Sequence, residues 1–138
     1  MAVTKPLRNV VGFTMIELLI VIVIMGLLAS LVAPKFFSQL SSSERGVAAA
    51  QMSAFEMALD TYRLDVGRYP ANLQELRESN DKKWDGPYLP KKIPLDPWGF
   101  PYVYSMPGEN GAPYSLKSYG ADGQAGGEGV NADIIHGE

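Results

Sequence analysis

Gly12-Phe13-Thr14-Met15-Ile16-Glu17-Leu18-Leu19-Ile20-Val21 opens an apolar run that reaches Ala33, and its only charged side chain is Glu17. About 20 apolar residues in a helix are enough to cross the hydrocarbon of a bilayer. A carboxylate inside such a span is costly, and where it is kept it marks a function. Before Gly12 stand Lys5 and Arg8 and no acid. A positive flank of that kind holds the cytoplasmic side of a membrane segment.

Three readings compete for this run. A secretory signal has a basic start, an apolar stretch and a small-residue cleavage site, which Leu28-Ala29-Ser30 could supply. The run is longer than the usual ~7–15 apolar residues of such signals, and Glu17 has no purpose in a discarded peptide. A plain anchor fits the length and leaves Glu17 unexplained. A retained helix that later docks against other helices gives the carboxylate a task. A carboxylate in lipid must be protonated or find a cation, so an unpaired charge favours docking wherever a neighbour brings one.

The third reading has a counterpart among known proteins. Residues 12–21 resemble the class III signal of type IV pilins and pseudopilins: Gly before the cut, Phe after it, Glu at the fifth mature position. The resemblance implies that a prepilin peptidase cuts between Gly12 and Phe13 and methylates the new Phe13 amine. It also implies that Glu17 pairs with the Phe13 amine of a neighbouring subunit during assembly. Residues 1–12 are then a cleaved leader, 13–34 a transmembrane and assembly helix, and 35–138 a periplasmic pilin-like domain.

Composition narrows the rest. The 138 residues leave on the order of 90–100 outside the apolar segment, enough for one small core. Fourteen glycines and ten prolines crowd the second half, which predicts loops and short strands. A net charge of −3 gives no basic footprint for nucleic acid. With no cysteine, disulfides, thiol catalysis and zinc–thiolate or iron–sulfur sites are excluded.

Past the run, Pro34 predicts a kink or local unwinding, because it lacks an N–H and clashes with the preceding turn. Phe37, Leu40, Val47, Phe55, Leu59, Tyr62 and Val66 then fall at helical spacing, while Glu44, Arg45, Gln51, Glu56, Asp60 and Arg63 occupy the opposite face. Gly67 and Pro70 end that helix, and Asn72 with Glu75 marks the start of a short one. The prolines and aromatics from Trp84 to Tyr102 predict a fixed loop packed on the helix, with a carbohydrate platform on Trp84 and Trp98 as the alternative. Tyr102–Ser105 and Tyr114–Tyr119, separated by Pro107-Gly108-Glu109-Asn110-Gly111, read as a hairpin. The fold class is α+β.

From Gly120 to Ile134 the chain mixes glycines with Asp122, Glu128, Asn131 and Asp133. Oxygen-only donors of this kind suit Ca²⁺, although the spacing is not that of an EF-hand. On spacing alone a solvated loop and a metal site both stand. His136 has no partner in the pattern and is expected to be inert.

Together with Pro97-Trp98-Gly99-Phe100-Pro101-Tyr102 and Ser118-Tyr119-Gly120-Ala121-Asp122-Gly123, this loop resembles that of the major pseudopilins of type II secretion. The resemblance implies a pilin-like fold: a long N-terminal α-helix, half in the membrane and half amphipathic, packed on a small antiparallel sheet with a C-terminal calcium-binding loop. It implies Ca²⁺ on Asp122 and Asp133 with backbone carbonyls of Leu116, Ser118 and Val130, and less securely Glu128 and Asn131. It also implies a structural subunit and no enzyme, anchored in the bacterial inner membrane with its domain in the periplasm. Further copies in a helical filament, minor pseudopilins, the prepilin peptidase, the secretion platform and lipid before assembly would be its partners. A type IV pilus pilin is the nearest alternative, though its customary cysteine pair is missing. A membrane-tethered carbohydrate-binding module is weaker, and a hydrolase lacks a nucleophile elbow or metal-ligand helix.

Overall fold

Thr14 caps a single long helix, α1 (Met15–Val66). The structure, a computed structural model, describes residues 11–137, so most of the expected leader, with Lys5 and Arg8, lies outside the described residues. The chain divides into two compact units, one reaching to Ser38 and one beginning at Gln39.

In the first unit α1 is apolar on all sides. An 18-residue window has a mean hydropathy of 2.8 and none of it is buried, so this helix is long and apolar enough to cross a membrane. The helix runs through Pro34 without interruption, and the local unwinding expected there is absent. Each remaining turn keeps its own hydrogen bonds, and a single missing N–H leaves the carbonyl of Ser30 without its usual partner while the helix continues.

In the second unit α1 buries one stripe: Ala48, Met52, Phe55, Ala58, Leu59, Tyr62 and Val66. Phe55, Leu59, Tyr62 and Val66 fall where the spacing put them. Leu40 and Val47 do not, being about half exposed, and Phe37 in the first unit is exposed as well. Hydrophobicity favours Val47 over Ala48, yet Ala48 stands one turn before Met52 on the stripe the core covers. At the helix end the Gly67 N–H donates to Arg63 O (2.8 Å) with φ +90°, a conformation that favours glycine.

Asn72 caps a 3₁₀ helix over Leu73–Leu76, its Oδ1 accepting the Glu75 N–H (3.2 Å). The Glu75 carboxylate does not reach back to Asn72. It accepts the Tyr62 hydroxyl at 2.6 Å. Burial, reinforced by that carboxylate, pushes the Tyr62 hydroxyl up to about 12. Trp84 Nε1 donates to Glu75 O (2.8 Å) and Trp98 Nε1 to the Glu44 carboxylate (3.0 Å). Both indoles are half-buried with their N–H groups satisfied inside the domain, which is packing and not an exposed platform.

The sheet is antiparallel, in the order β1 (Val103–Ser105), β2 (Ser115–Ser118), β3 (Ile134–Ile135). Tyr104 pairs with Leu116, and Ser118 with Ile134. Leu116 and Tyr102 enter the core with Phe55, whose ring meets that of Tyr102 edge-on at 5.2 Å. The hairpin falls where the sequence predicts it, and β3 takes up the end of the predicted glycine loop. Two residues carry too little alternation to register as a strand.

Candidate functional site

Gly12 and Phe13 are exposed and precede the first turn of α1. The Glu17 N–H donates to Thr14 Oγ1 (3.2 Å), and the Thr14 N–H donates to Glu17 Oε2 (3.4 Å). This reciprocal pair is a capping box, and Thr14-x-x-Glu17 carries its signature in the sequence. Glu17 therefore stands where the exposed N–H groups and the dipole of the helix favour an anion. A cation created at Phe13 would lie beside this turn.

The C-terminal loop is built from β2 outward. Asp96 is buried, and its Oδ1 accepts the N–H groups of Trp98 (3.1 Å) and Phe100 (2.9 Å). Its Oδ2 accepts the Ser118 hydroxyl (2.7 Å), and Ser118 Oγ in turn accepts the Gly120 N–H (3.3 Å). One carboxylate thus joins the Pro97–Phe100 turn to the start of the glycine loop. Sequence reasoning did not single out Asp96, since an aspartate between prolines looks like surface.

Beyond Gly120 the loop folds back on itself. Ala121 N donates to Val130 O (3.0 Å), and a 3₁₀ turn covers Gly129–Asn131. Gly120 has φ +74°, and a Cβ there would stand 2.9 Å from the carbonyl oxygens of both Val130 and Ala132. Asp122 Oδ1 accepts the Gln124 N–H (3.1 Å), while both oxygens of Asp133 accept the Gly126 N–H at 3.0 Å. Of the expected carbonyl donors, Val130 O already accepts Ala121 N, and Leu116 O accepts His136 N at 3.0 Å within the sheet.

Two polar residues of α1, Arg45 and Glu56, hold this end of the chain, and Glu44 holds the turn at Trp98, though the helical spacing put all three on the solvent face. Arg45 Nη1 donates to Ala132 O (2.8 Å) and approaches Gly129 O (3.5 Å). Glu44 takes Trp98, and the Glu56 carboxylate lies 3.0 Å from His136 Nε2. His136 is therefore a tether, not the inert tail residue expected. Gln51 is engaged as well, as acceptor for the Tyr102 hydroxyl.

The loop fits a hard cation in its chemistry. Its donors are carboxylate and carbonyl oxygens only, and at Gly120 the chain passes so close to the carbonyls of Val130 and Ala132 that a Cβ would stand 2.9 Å from each. Among the described residues no three acidic, cysteine or imidazole side chains converge, so Asp122, Glu128 and Asp133 do not form a three-carboxylate cluster. Glu128 and Val130 are exposed, and Asn131 is half-buried with its N–H on Glu128 O (3.1 Å).

Comparison with known proteins gives matches along most of the chain. The family model of type II secretion system (T2SS), protein G, matches residues 35–137, and that of the prokaryotic N-terminal methylation motif matches residues 8–33. The type II secretion system core protein G of Pseudomonas aeruginosa is 42% identical over 135 residues, covering 92% of this chain and 94% of its own. That of Vibrio cholerae is 39% identical over 138 residues, with 94% and 93% covered. Among solved structures, the crystal structure of the major pseudopilin from the type 2 secretion system of enterohaemorrhagic Escherichia coli matches with a TM-score of 0.58 and 29% identity. That match covers 72% of this chain and 90% of the other.

Proposed function

The chain belongs to the type II secretion system protein G family, and on that premise we propose that it works as a structural subunit of the secretion pseudopilus, assembled through its N-terminal helix. The observation that carries this reading is the fully exposed apolar half of α1, headed by a capped carboxylate directly after the Gly12–Phe13 junction. A prepilin peptidase cuts at that junction and methylates the Phe13 amine. In the bilayer, with the domain on the periplasmic side, Glu17 then attracts the amine of a neighbouring subunit more strongly than its long 3.4 Å bond to Thr14 holds it. Stacked helices form a filament that helps move folded proteins across the outer membrane, in company with minor pseudopilins and the inner-membrane platform. The match to protein G favours this role over that of a type IV pilus pilin. The role is structural and not catalytic.

Calcium belongs to the same reading. Asp122 and Asp133 would supply the charge, completed by the carbonyl of Val130 in the folded-back loop and those of Ser118 and Leu116 in β2. The hard-oxygen donor set and the close approach at Gly120 support it. A bound ion would hold the glycine-rich segment much as a disulfide holds other exported domains, and would stabilise the fold by mass action.

N-terminal mass spectrometry of the membrane-extracted chain tests the first reading: a methylated Phe13 start is expected, and a start at Met1 or beyond Ala29 refutes it. For calcium, EDTA should lower the melting temperature of the full chain in detergent. An unchanged melting curve for both the wild type and Asp122→Ala would remove the ion from the account.

A further inference from the structure

Arg45 is part of α1, but its guanidinium ends in the C-terminal loop. Among the described residues it forms no ion pair, and its neighbour Glu44 spends its carboxylate on Trp98. Its acceptors are both backbone carbonyls, those of Ala132 and Gly129. These two oxygens lie at the ends of one 3₁₀ turn, closed by Ala132 N on Gly129 O (3.3 Å). The far side of that turn is held by Ala121 N on Val130 O, one residue before Asp122.

We propose that Arg45 is a positioning residue for the cation site of this loop, fixing the backbone from which Asp133 projects and so coupling ion binding to the docking of the loop on α1. The inference rests on the calcium reading given above. The Ala132 carbonyl and the Asp133 N–H share one planar peptide unit, so a donor that holds the oxygen also sets the direction in which Asp133 leaves the chain. With Ala121 bonded to Val130, the two carboxylates emerge from backbone pinned on both sides of the same turn. Glycines at positions 126, 127 and 129 give that turn many alternatives, and each alternative dilutes the form able to bind.

The sign of the effect separates positioning from simple charge. Arg45 is a cation near a cation site, so by Coulomb's law alone its removal should tighten calcium binding. Loss of positioning should weaken it. Calorimetric titration of calcium into the full chain in detergent, with Asp122→Ala as the blank, measures this directly. Arg45→Gln is expected to raise the calcium Kd about tenfold, as the competent fraction of the loop falls. Arg45→Lys, which keeps a charged donor, should return it to within about threefold of the wild type. Hydrogen exchange at the amides of Ala132 and Ala121, which donate to Gly129 O and Val130 O, should quicken in Arg45→Gln even without the ion.

A Kd equal to or lower than that of the wild type in Arg45→Gln overturns the proposal, as does an equal loss of melting temperature with and without calcium. If the wild type itself takes up no calcium, the calcium reading fails and this inference falls with it. Binding by the wild type with no effect at Arg45 leaves the calcium reading standing and refutes the positioning role alone.

Discussion

Replacing Asp96 by alanine should unravel the C-terminal half of the domain. The carboxylate is 4% exposed and accepts three hydrogen bonds, at 3.1, 2.9 and 2.7 Å. Each bond to a charged group is worth ~1.5–3 kcal/mol in isolation. They do not add fully, because water can enter the space left by the side chain. Removing the carboxylate leaves two N–H groups and a hydroxyl without their acceptor, at about 1–3 kcal/mol each, so with partial rescue by water the loss is about 3–5 kcal/mol. Against a usual total of about 5–15 kcal/mol, that is a large share of the stability. Asp96→Asn keeps an acceptor for the two N–H groups and loses charge assistance, so it should cost about 1–2 kcal/mol. Urea unfolding of the full chain in detergent, followed by tryptophan fluorescence, reads the effect, since Trp84 and Trp98 both lie outside the apolar segment. The alanine variant should lower the midpoint by about 2 M, from a slope of about 2 kcal/mol per M. A shift smaller than that of Asp96→Asn would refute the claim that this carboxylate organises the loop.

Alkali should unfold the domain within a defined window. Burial pushes the hydroxyls of Tyr62 and Tyr114 up to about 12 from an ordinary value of 10.0, and raises those of Tyr102 and Tyr104 as well. A raised value favours the neutral form in the fold, so this stability is intact below pH 10 and is lost as pH rises through about 12. The absorbance of these four tyrosinates should rise together with loss of helix signal, and ionisation of any of the four at pH 10 in the folded chain, followed against its Tyr→Phe variant, would contradict it. Glu17→Ala should leave membrane insertion intact and sharply reduce filament formation, scored by electron microscopy and by crosslinking; normal filaments would end the assembly role of Glu17. Gly120→Ala forces a Cβ to 2.9 Å from two carbonyl oxygens at φ +74° and should cost about 2–3 kcal/mol. Thermal melting measures that cost, and a cost below about 0.5 kcal/mol would mean that the two loop segments do not meet there.

Much of this was legible in the sequence because it is local. The glycine end of α1 at Gly67, the Asn72 cap and the hairpin each depend on residues a few positions apart, and pattern and turn chemistry read them well. What escaped depends on distant partners. Helical spacing sorted Arg45, Gln51 and Glu56 to the solvent face by residue type, but each reaches over the edge of the buried stripe to the loops and tail it holds. Asp96 was hidden for the same reason, since only the fold brings Ser118 and the turn N–H groups around it. For the candidate loop, residue chemistry singled out the segment, while the pairing of Ala121 with Val130 that shapes it came from the structure.

The tether from Arg45 to Ala132 joins residues 87 positions apart, and the bond from His136 to Glu56 closes a span of similar length. Contacts of such separation are the slowest to find and form after local structure is in place. The helix and the hairpin can therefore order themselves while the glycine segment is still open. Closing of the tail is then expected to come last, and the chain should be most open to proteolysis before it.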